Sequence, residues 1–351
     1  MNRPVPSFQT FASDNTAGVC PEAWAALTEA NEGAAASYGD DAWTQRAKAR
    51  IQELFETECE VFFVFNGTAA NSLALSALCP RYASILCHAT AHIELDECGA
   101  PEFFTGGSKL VAIPGEGGKL RPGPVEAVFG RGHGVHYPKP GALSLTQSTE
   151  LGTVYRPAEI RALAALAHAH GLGVHVDGAR FANAAAALKA SEGASPADLT
   201  WRAGVDVLSF GGTKNGMLGT EAVVFFNLTW ARDFAYRVKQ SGQLASKQRY
   251  AGAQWAAMLG SGAWLANAAR ANAVAARLAD GLREIPGVRL ILEPEANAVF
   301  VELPPATAAA LAARGWVFHR FIGEHGYRLM GSWATRDEEV SALLADLKAL
   351  A

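Results

Sequence analysis

The apolar run Leu172 to Val176 leads directly into Asp177, and a second run, Val205 to Phe210, leads into a Gly-Gly-Thr-Lys turn that carries Lys214. The lysine follows the aspartate by 37 residues, which leaves room for one helix and a further strand. An ionised carboxylate can keep a pyridine nitrogen protonated, and a primary amine can join an aldehyde as a Schiff base. Together these are the two side chains that pyridoxal phosphate needs from a protein. Both runs read as buried strands, and open α/β sheets collect ligands at the carboxyl ends of their strands. Taken singly, each feature has a plainer reading. An Asp at a strand end caps the next helix, and Gly-Gly-Thr-Lys is a turn.

Other short segments carry polar side chains in a matching order. They are Ala12-Ser13-Asp14-Asn15, Tyr38-Gly39-Asp40-Asp41, Asn66-Gly67-Thr68-Ala69-Ala70-Asn71, Thr90-Ala91-His92 and Tyr327-Arg328-Leu329. With His175-Val-Asp177-Gly-Ala-Arg180 and Phe210-Gly-Gly-Thr213-Lys214-Asn215, they resemble in sequence order the motifs of the threonine aldolase family of pyridoxal phosphate enzymes, which share the aspartate aminotransferase fold. The resemblance runs from about residue 11 to residue 350. It is strongest to the low-specificity L-threonine aldolases, with phenylserine aldolases near them.

The resemblance implies a role for each motif. Lys214 would attach the cofactor, with Thr213 beside it, and Asp177 would face the ring nitrogen so that the ring accepts the electron pair released at the substrate α-carbon. Arg180 would approach the cofactor's phenolic oxygen. Gly67, Thr68 and Ala69 open a helix, where backbone amides converge on an anion, and would take the phosphate. Lys247, one position away from an arginine that many members carry, would reach the phosphate of a neighbouring subunit. Tyr38 would cross the same boundary towards the substrate. His92 would stack on the ring, and His136, in Val135-His136-Tyr137, would stand near the substrate hydroxyl as a group suited to moving protons. Ser13 and Arg328 would hold the substrate carboxylate, the arginine through a planar fork that lysine cannot copy. One departure stands out: many members have an Asn-Thr-His sequence over Thr146 to Glu150, and here the histidine is replaced by Thr149. Recognition of the β-substituent is expected to differ accordingly.

The activity implied is cleavage of L-threonine, L-allo-threonine or related β-hydroxy-α-amino acids to glycine and an aldehyde. A phenylserine-preferring aldolase, a β-eliminating lyase or an aminotransferase on the same fold is the alternative. The resemblance also implies a homo-oligomer, a dimer with shared active sites assembled further into a tetramer.

The frame for these residues follows from periodicity. Pro21 to Asn31 and Asp41 to Glu56 read as helices, the second capped by its aspartate. Val61 to Phe65, Ser84 to Cys87, Lys109 to Ile113, Leu143 to Thr146, Leu172 to Val176, Val205 to Phe210 and Ala222 to Phe226 read as strands, with helices at Thr68 to Leu78 and Ala158 to His170. Strands separated by helices, with both faces apolar, predict an α/β architecture: a mostly parallel sheet covered on both sides. From about Arg249 the texture changes to Ala-rich helical sequence reaching about Glu284. Short strands at Val288 to Leu292, Ala298 to Glu302 and Tyr327 to Met330 follow, with a closing helix, Glu338 to Leu350. The expected division is an N-terminal arm (1–20), a large cofactor-binding domain (21–248) and a small C-terminal α+β domain (249–351).

Several other functions are disfavoured. Lys+Arg 30 against Asp+Glu 34 leaves no basic surplus for nucleic acid. No apolar run approaches the ~20 residues that span a bilayer, and the first residues lack the apolar stretch of an export signal, so a cytoplasmic protein is expected. Cysteines 20, 59, 79, 87 and 98 form no Cys-x-x-Cys pair and read as reduced thiols. Gly115 to Leu120 fails as a phosphate loop, since Ile113 and Leu120 stand where Gly and Ser or Thr are needed. Gly130 to Gly134 has the wrong spacing for a dinucleotide turn. His168 and His170 have metal-like spacing but read as the solvated face of a helix, and no metal site is expected.

Overall fold

Alternation along the strands divides the large core in two. Val174, Val176, Leu208, Phe210, Ala222 and Val224 pack on one side of the sheet, and Ile85, Cys87, Ala142, Val207, Val223 and Phe225 on the other. Successive strand residues point to opposite faces, so a sheet with two apolar faces must be covered twice. The computed structural model, which describes residues 10–132 and 134–351, shows this covering. The first nine residues of the expected arm, and His133 within the Gly130 to Gly134 stretch, lie outside the described residues.

The large sheet contains β1 (Glu60–Val64), β2 (Ala83–His88), β3 (Lys109–Ile113), β4 (Lys139–Thr146), β5 (Gly173–Gly178), β6 (Val207–Gly211) and β7 (Glu221–Phe225). Their spatial order is β1-β7-β6-β5-β4-β2-β3. The four pairings among β2 to β6 are parallel, and β7 runs antiparallel to both β6 and β1. All the parallel strands therefore deliver their carboxyl ends to one edge. A second, antiparallel sheet is ordered β10 (His319–Ile322), β11 (Gly326–Met330), β9 (Ala298–Glu302), β8 (Arg289–Leu292). This is the mostly parallel α/β sheet with a smaller α+β lobe that the pattern predicts.

Local signals place the helices. Asp41 Oδ1 accepts the backbone N–H of Thr44 at 2.8 Å and starts Ala42–Phe55. Gly171, at φ +73°, follows Pro157–Ala169 and turns the chain into β5. The Ala-rich run is two helices, Arg249–Ser261 and Ala263–Arg283, that meet at Gly262, whose φ of +79° breaks the ladder. The first still packs on the large core through Trp255 and Met258. The second carries Trp264 and Ala268 into that core and Leu278 and Leu282 into the small one. The change of texture at Arg249 thus precedes the change of core. The pattern did not foresee β10 and the helix Pro305–Ala313: β10 is an exposed edge strand without alternation.

The chain after residue 9 is stitched to the small lobe. Phe11 N–H donates to Val317 O at 2.9 Å, and Phe11 O accepts from Met330 N–H at 2.8 Å. This anchoring carries the next residues, Ser13 and Asp14, towards the carboxyl edge of the large sheet. The five cysteines are unpaired, four of them buried.

Candidate active site

Because Val174 and Val176 face away, the odd residues of β5 face the helix Gly67–Leu78. Asp177, at the carboxyl end of the strand, is aimed at that helix. Its Oδ2 accepts from Asn71 Nδ2 at 3.0 Å and its Oδ1 from the Ala179 N–H at 3.0 Å. At the helix start, Asn66 Oδ1 accepts the Ala69 N–H at 2.9 Å, so Ala69's amide serves the cap rather than an anion. The amides of Gly67 and Thr68 have no partner among the described residues, and a Cβ added at Gly67 would meet nothing within 4 Å. That is the geometry of an anion site at a helix N-terminus.

β6 ends in the turn Thr213–Asn215, which leaves Lys214 half-buried at the floor of a cleft with Asn66, Gly67, Thr68, His92 and Ala179 on its walls. Lys214 makes no hydrogen bond or ion pair among the described residues. Thr213 Oγ1 accepts the Thr220 N–H at 3.2 Å and closes the turn. Beneath it, buried Glu221 accepts the Gly212 N–H at 2.6 Å. Burial pushes the Glu221 carboxyl up to about 7, against hydrogen bonds from Thr213 and Gly212.

β2 ends at His88, and four residues on His92 enters the cleft, half-buried. Its Nδ1 lies 2.9 Å from Glu97 Oε1, and the same oxygen accepts from Asn71 Nδ2 at 2.8 Å. His92, Glu97, Asn71 and Asp177 thus form one hydrogen-bonded chain. The Glu97 bond raises the His92 pKa, and burial raises that of Glu97 against the pull of His92. Both shifts favour keeping a proton.

Two arginines flank the other side. Arg180 donates from Nε and Nη2 to the two oxygens of Asp14 at 2.7 and 2.9 Å, with Glu150 3.9 Å from Nη1. Burial alone would raise the Asp14 carboxyl, but Arg180 overrides it and holds the carboxyl at about 2. Asn297 Nδ2 also donates to Asp14, at 3.1 Å. Arg328 lies on β11 over the Phe321 ring at 4.7 Å. Its one hydrogen bond goes to Ala12 O at 3.3 Å, and its Nε is buried without a partner among the described residues. Burial and then Arg180 lower its pKa. Ser13 Oγ accepts the Asn15 N–H at 3.2 Å and caps the turn that presents Asp14.

One position, His136, needs correction within this chain. Lys139, at the start of β4, pairs with Ala83 at the start of β2, and Thr146 at its end pairs with Asp177. His136, three residues ahead of Lys139, therefore stands at the opposite edge of the sheet, on the order of 25 Å from Asp177 at the ~3.3 Å rise of a strand. Thr149 does not take the place of the histidine it replaces, because it is buried with its hydroxyl bonded to Gly117 O (3.2 Å) and Thr153 Oγ1 (2.8 Å). Lys247 and Tyr38, expected to act at a neighbouring subunit's site, lie outside this chain's own cleft. Lys247 is exposed on a neighbouring groove that meets the cleft at Gly219. Tyr38 donates its N–H to Ser246 O at 3.0 Å and lies under Lys239, 5.0 Å from its ring. His168 bonds Asp206 at 2.9 Å and His170 stacks on Phe129 at 3.8 Å, so the solvated face predicted for them is also partnered.

The sequence motifs assigned no role to Asn71, Glu97, Asp14, Glu150, Glu221 or Asn297. Asn71 was discoverable in principle, lying one helical turn beyond Gly67. Glu97 and Glu221 gain their positions from packing between elements, which no local pattern encodes.

A carboxylate and a lysine at adjacent strand ends, a helix start open to an anion and unpartnered buried atoms around them suit pyridoxal phosphate, and the fold is fold type I of the enzymes that use it. The chain belongs to the beta-eliminating lyase family, whose model matches residues 10–305, and within it to the threonine aldolases. Proteins of this family are pyridoxal phosphate dependent. The chain is 54% identical over 342 residues to a low specificity L-threonine aldolase of a Pseudomonas species, covering 97% of this chain and 98% of that one. It is 55% identical over 340 residues to the protein of that name from Pseudomonas aeruginosa, covering 97% of each. Among solved structures it is similar to a threonine aldolase of Leishmania major, with a TM-score of 0.91 and 28% identity over 97% of this chain and 99% of that one.

Proposed function

We propose that this chain is an aldolase that cleaves L-threonine, L-allo-threonine and related β-hydroxy-α-amino acids to glycine and an aldehyde. The observation that carries the reading is the convergence of Lys214, Asp177 and His92 at the carboxyl ends of β6, β5 and β2. Bound there, pyridoxal phosphate supplies an electron sink for the bond broken at the α-carbon.

Asp177, fixed by Asn71 and the Ala179 amide, would hold the ring nitrogen. The amides of Gly67 and Thr68 would take the phosphate, and Lys214 would provide the amine. Arg328 has no acidic partner among the described residues and would grip the substrate carboxylate with its fork. That grip sets the orientation of the bonds at the α-carbon, so it contributes to rate as well as to affinity. His92, which lines this chain's cleft, would take the β-hydroxyl proton at Nε2, directly or through a water. Arg180, locked onto Asp14, keeps positive charge beside the site.

The same reading extends to assembly. Trp24, Phe65 and Leu218 are 61%, 66% and 54% exposed around the cleft and its neighbouring groove, a large apolar area for a surface with access to a site. A second copy covering it would bring Lys247 and Tyr38 to a shared boundary, giving a dimer and, by pairing of dimers, a homotetramer. No helix among the described residues is long and apolar enough to cross a membrane. The five unpaired cysteines support a cytoplasmic protein.

Product analysis tests the activity. With L-threonine, L-allo-threonine or phenylserine, glycine and the matching aldehyde should form in equal amounts. Release of ammonia and a keto acid would instead mark a β-eliminating lyase, and the three substrates together would expose a phenylserine preference.

A further inference from the structure

We propose that Glu97 is a positioning residue of this site: with Asn71 as the junction, it ties the Asp177 carboxylate to His92 and holds the imidazole with Nε2 free towards the substrate. The proposal rests on the aldolase reading for its purpose but not for its geometry.

The donors and acceptors leave one arrangement. Asn71 Nδ2 faces Glu97 Oε1 at 2.8 Å and Asp177 Oδ2 at 3.0 Å, and both groups are acids. An amide turned the other way would set its oxygen against two carboxylates, so the two N–H donors must point at them. Glu97 Oε1 is then an acceptor, and the ring nitrogen 2.9 Å from it, His92 Nδ1, must carry the hydrogen. In the neutral imidazole that leaves Nε2 as the basic atom. The relay is sealed at one end and open at the other, since the Glu97 side chain is 0% exposed and that of His92 is 31% exposed.

The members come from separate elements: the helix Gly67–Leu78, the segment after β2 and the end of β5. Turning the ring would break its bond to Glu97, an oxygen that Asn71 on the helix holds in place in turn. Charges facing His92 come from Glu97 on its own segment, Asp177 on β5 and Glu150 after β4, with Lys214 across the cleft. No other described histidine can share the task. His88 is bonded to Thr90 and Gly115, and His175 to Ser144 and Ser209. Among the described residues His92 is the one imidazole lining this chain's cleft, and its orientation depends on Glu97.

The test is Glu97→Gln in the holoenzyme, a change that keeps size and an accepting oxygen but removes the charge. In protein labelled with 15N-histidine, the His92 resonance, identified by its loss in His92→Phe, should report the Nδ1–H tautomer in the wild type. Its titration midpoint should fall by about one pH unit or more in Glu97→Gln. The acid limb of kcat/KM should move in the same direction. The kcat should drop about 10- to 100-fold, with KM for threonine changed less than about threefold. Glu97→Asp, which restores the charge at shorter reach, should return the midpoint towards the wild-type value.

An Nε2–H tautomer in the wild type would overturn the proposal, whether or not the variants fold. So would an unchanged midpoint and acid limb in Glu97→Gln, even with a lower melting temperature, since that is what a purely structural role predicts. The two readings fail separately. A wild type that shifts as described but makes no glycine and aldehyde would end the aldolase reading and leave the relay standing, whereas cleavage without the shift would end the relay alone.

Discussion

Two buried aspartates, Asp177 and Asp206, sit at opposite ends of adjacent strands, and their surroundings differ. Asp206 precedes β6. Its Oδ2 accepts the Val174 N–H at 2.8 Å and His168 Nε2 at 2.9 Å, and its Oδ1 accepts Asn227 Nδ2 at 2.9 Å. The donors come from a helix end, a strand start and the segment after β7, so the carboxylate knits the frame and its network is closed. Asp177 takes two donors, and in its hydrogen-bonded chain Asn71 Oδ1 and Glu97 Oε2 are buried without partners among the described residues, as is Arg328 Nε on the substrate side. Buried polar groups are normally satisfied. Unsatisfied atoms in the chain around Asp177 mark where a ligand's atoms belong, and the closed network around Asp206 marks a structural joint.

The sharpest way to break this contrast is at the lysine. Lys214→Ala should lower turnover by about three orders of magnitude or more, the scale on which removal of a covalent catalytic group acts, and should leave the melting temperature nearly unchanged. Comparing the aspartates directly comes next. Asp177→Asn should cost about 100- to 1000-fold in kcat, as loss of one preorganised electrostatic group does. Asp206→Ala should instead cost about 2 to 3 kcal/mol of stability by leaving buried donors unpaired, with kcat per folded molecule retained. If Asp206→Ala lost activity as steeply as Asp177→Asn, the division between joint and site would be wrong.

At the substrate end, Arg328→Lys keeps the charge but loses the fork. A charged hydrogen bond is worth about 1.5 to 3 kcal/mol, so kcat/KM should fall roughly tenfold to a hundredfold with the cofactor absorption unchanged. The Asp14–Arg180 pair should show in acid. The Asp14 carboxyl is held at about 2 against an ordinary 3.8, so its contribution is complete above the ordinary value and is lost as pH falls from 3.8 to about 2. That difference is about 2 to 3 kcal/mol. Denaturant unfolding at pH 5, 3 and 2 should show the loss in the wild type and a shallower one in Asp14→Asn. The smallest effect belongs to His136→Phe, whose kcat/KM should stay within about twofold of wild type.

The residues that stand in continuous local patterns were legible in the sequence. Asp177 and Lys214 each close a buried strand, and Gly67 and Thr68 stand where a strand gives way to a helix, so the periodicity that places the strands also places these side chains. His136 misled because its neighbours look like a motif. Its edge of the sheet depends on where β4 begins, and the strand starts at Lys139, four residues before the apolar stretch from Leu143 that announces it. Glu97, Asn71 and Asp14 were silent for a different reason: their partners lie 26, 106 and 166 residues away along the chain. Single-sequence patterns carry local periods, not pairings made by packing. The break at Gly262 was hidden in the same way, because alanine-rich sequence supports helix on both sides of a single left-handed residue.

Reduction and mapping would test the central claim most directly. Treating the holoprotein with borohydride, digesting it and sequencing the labelled peptide by mass spectrometry should place the reduced cofactor on Lys214, in the turn at the end of β6. A label on Lys189, Lys247 or any other lysine would contradict the account, because the chemistry would then lie away from the edge where Asp177, Asn71, Glu97 and His92 meet.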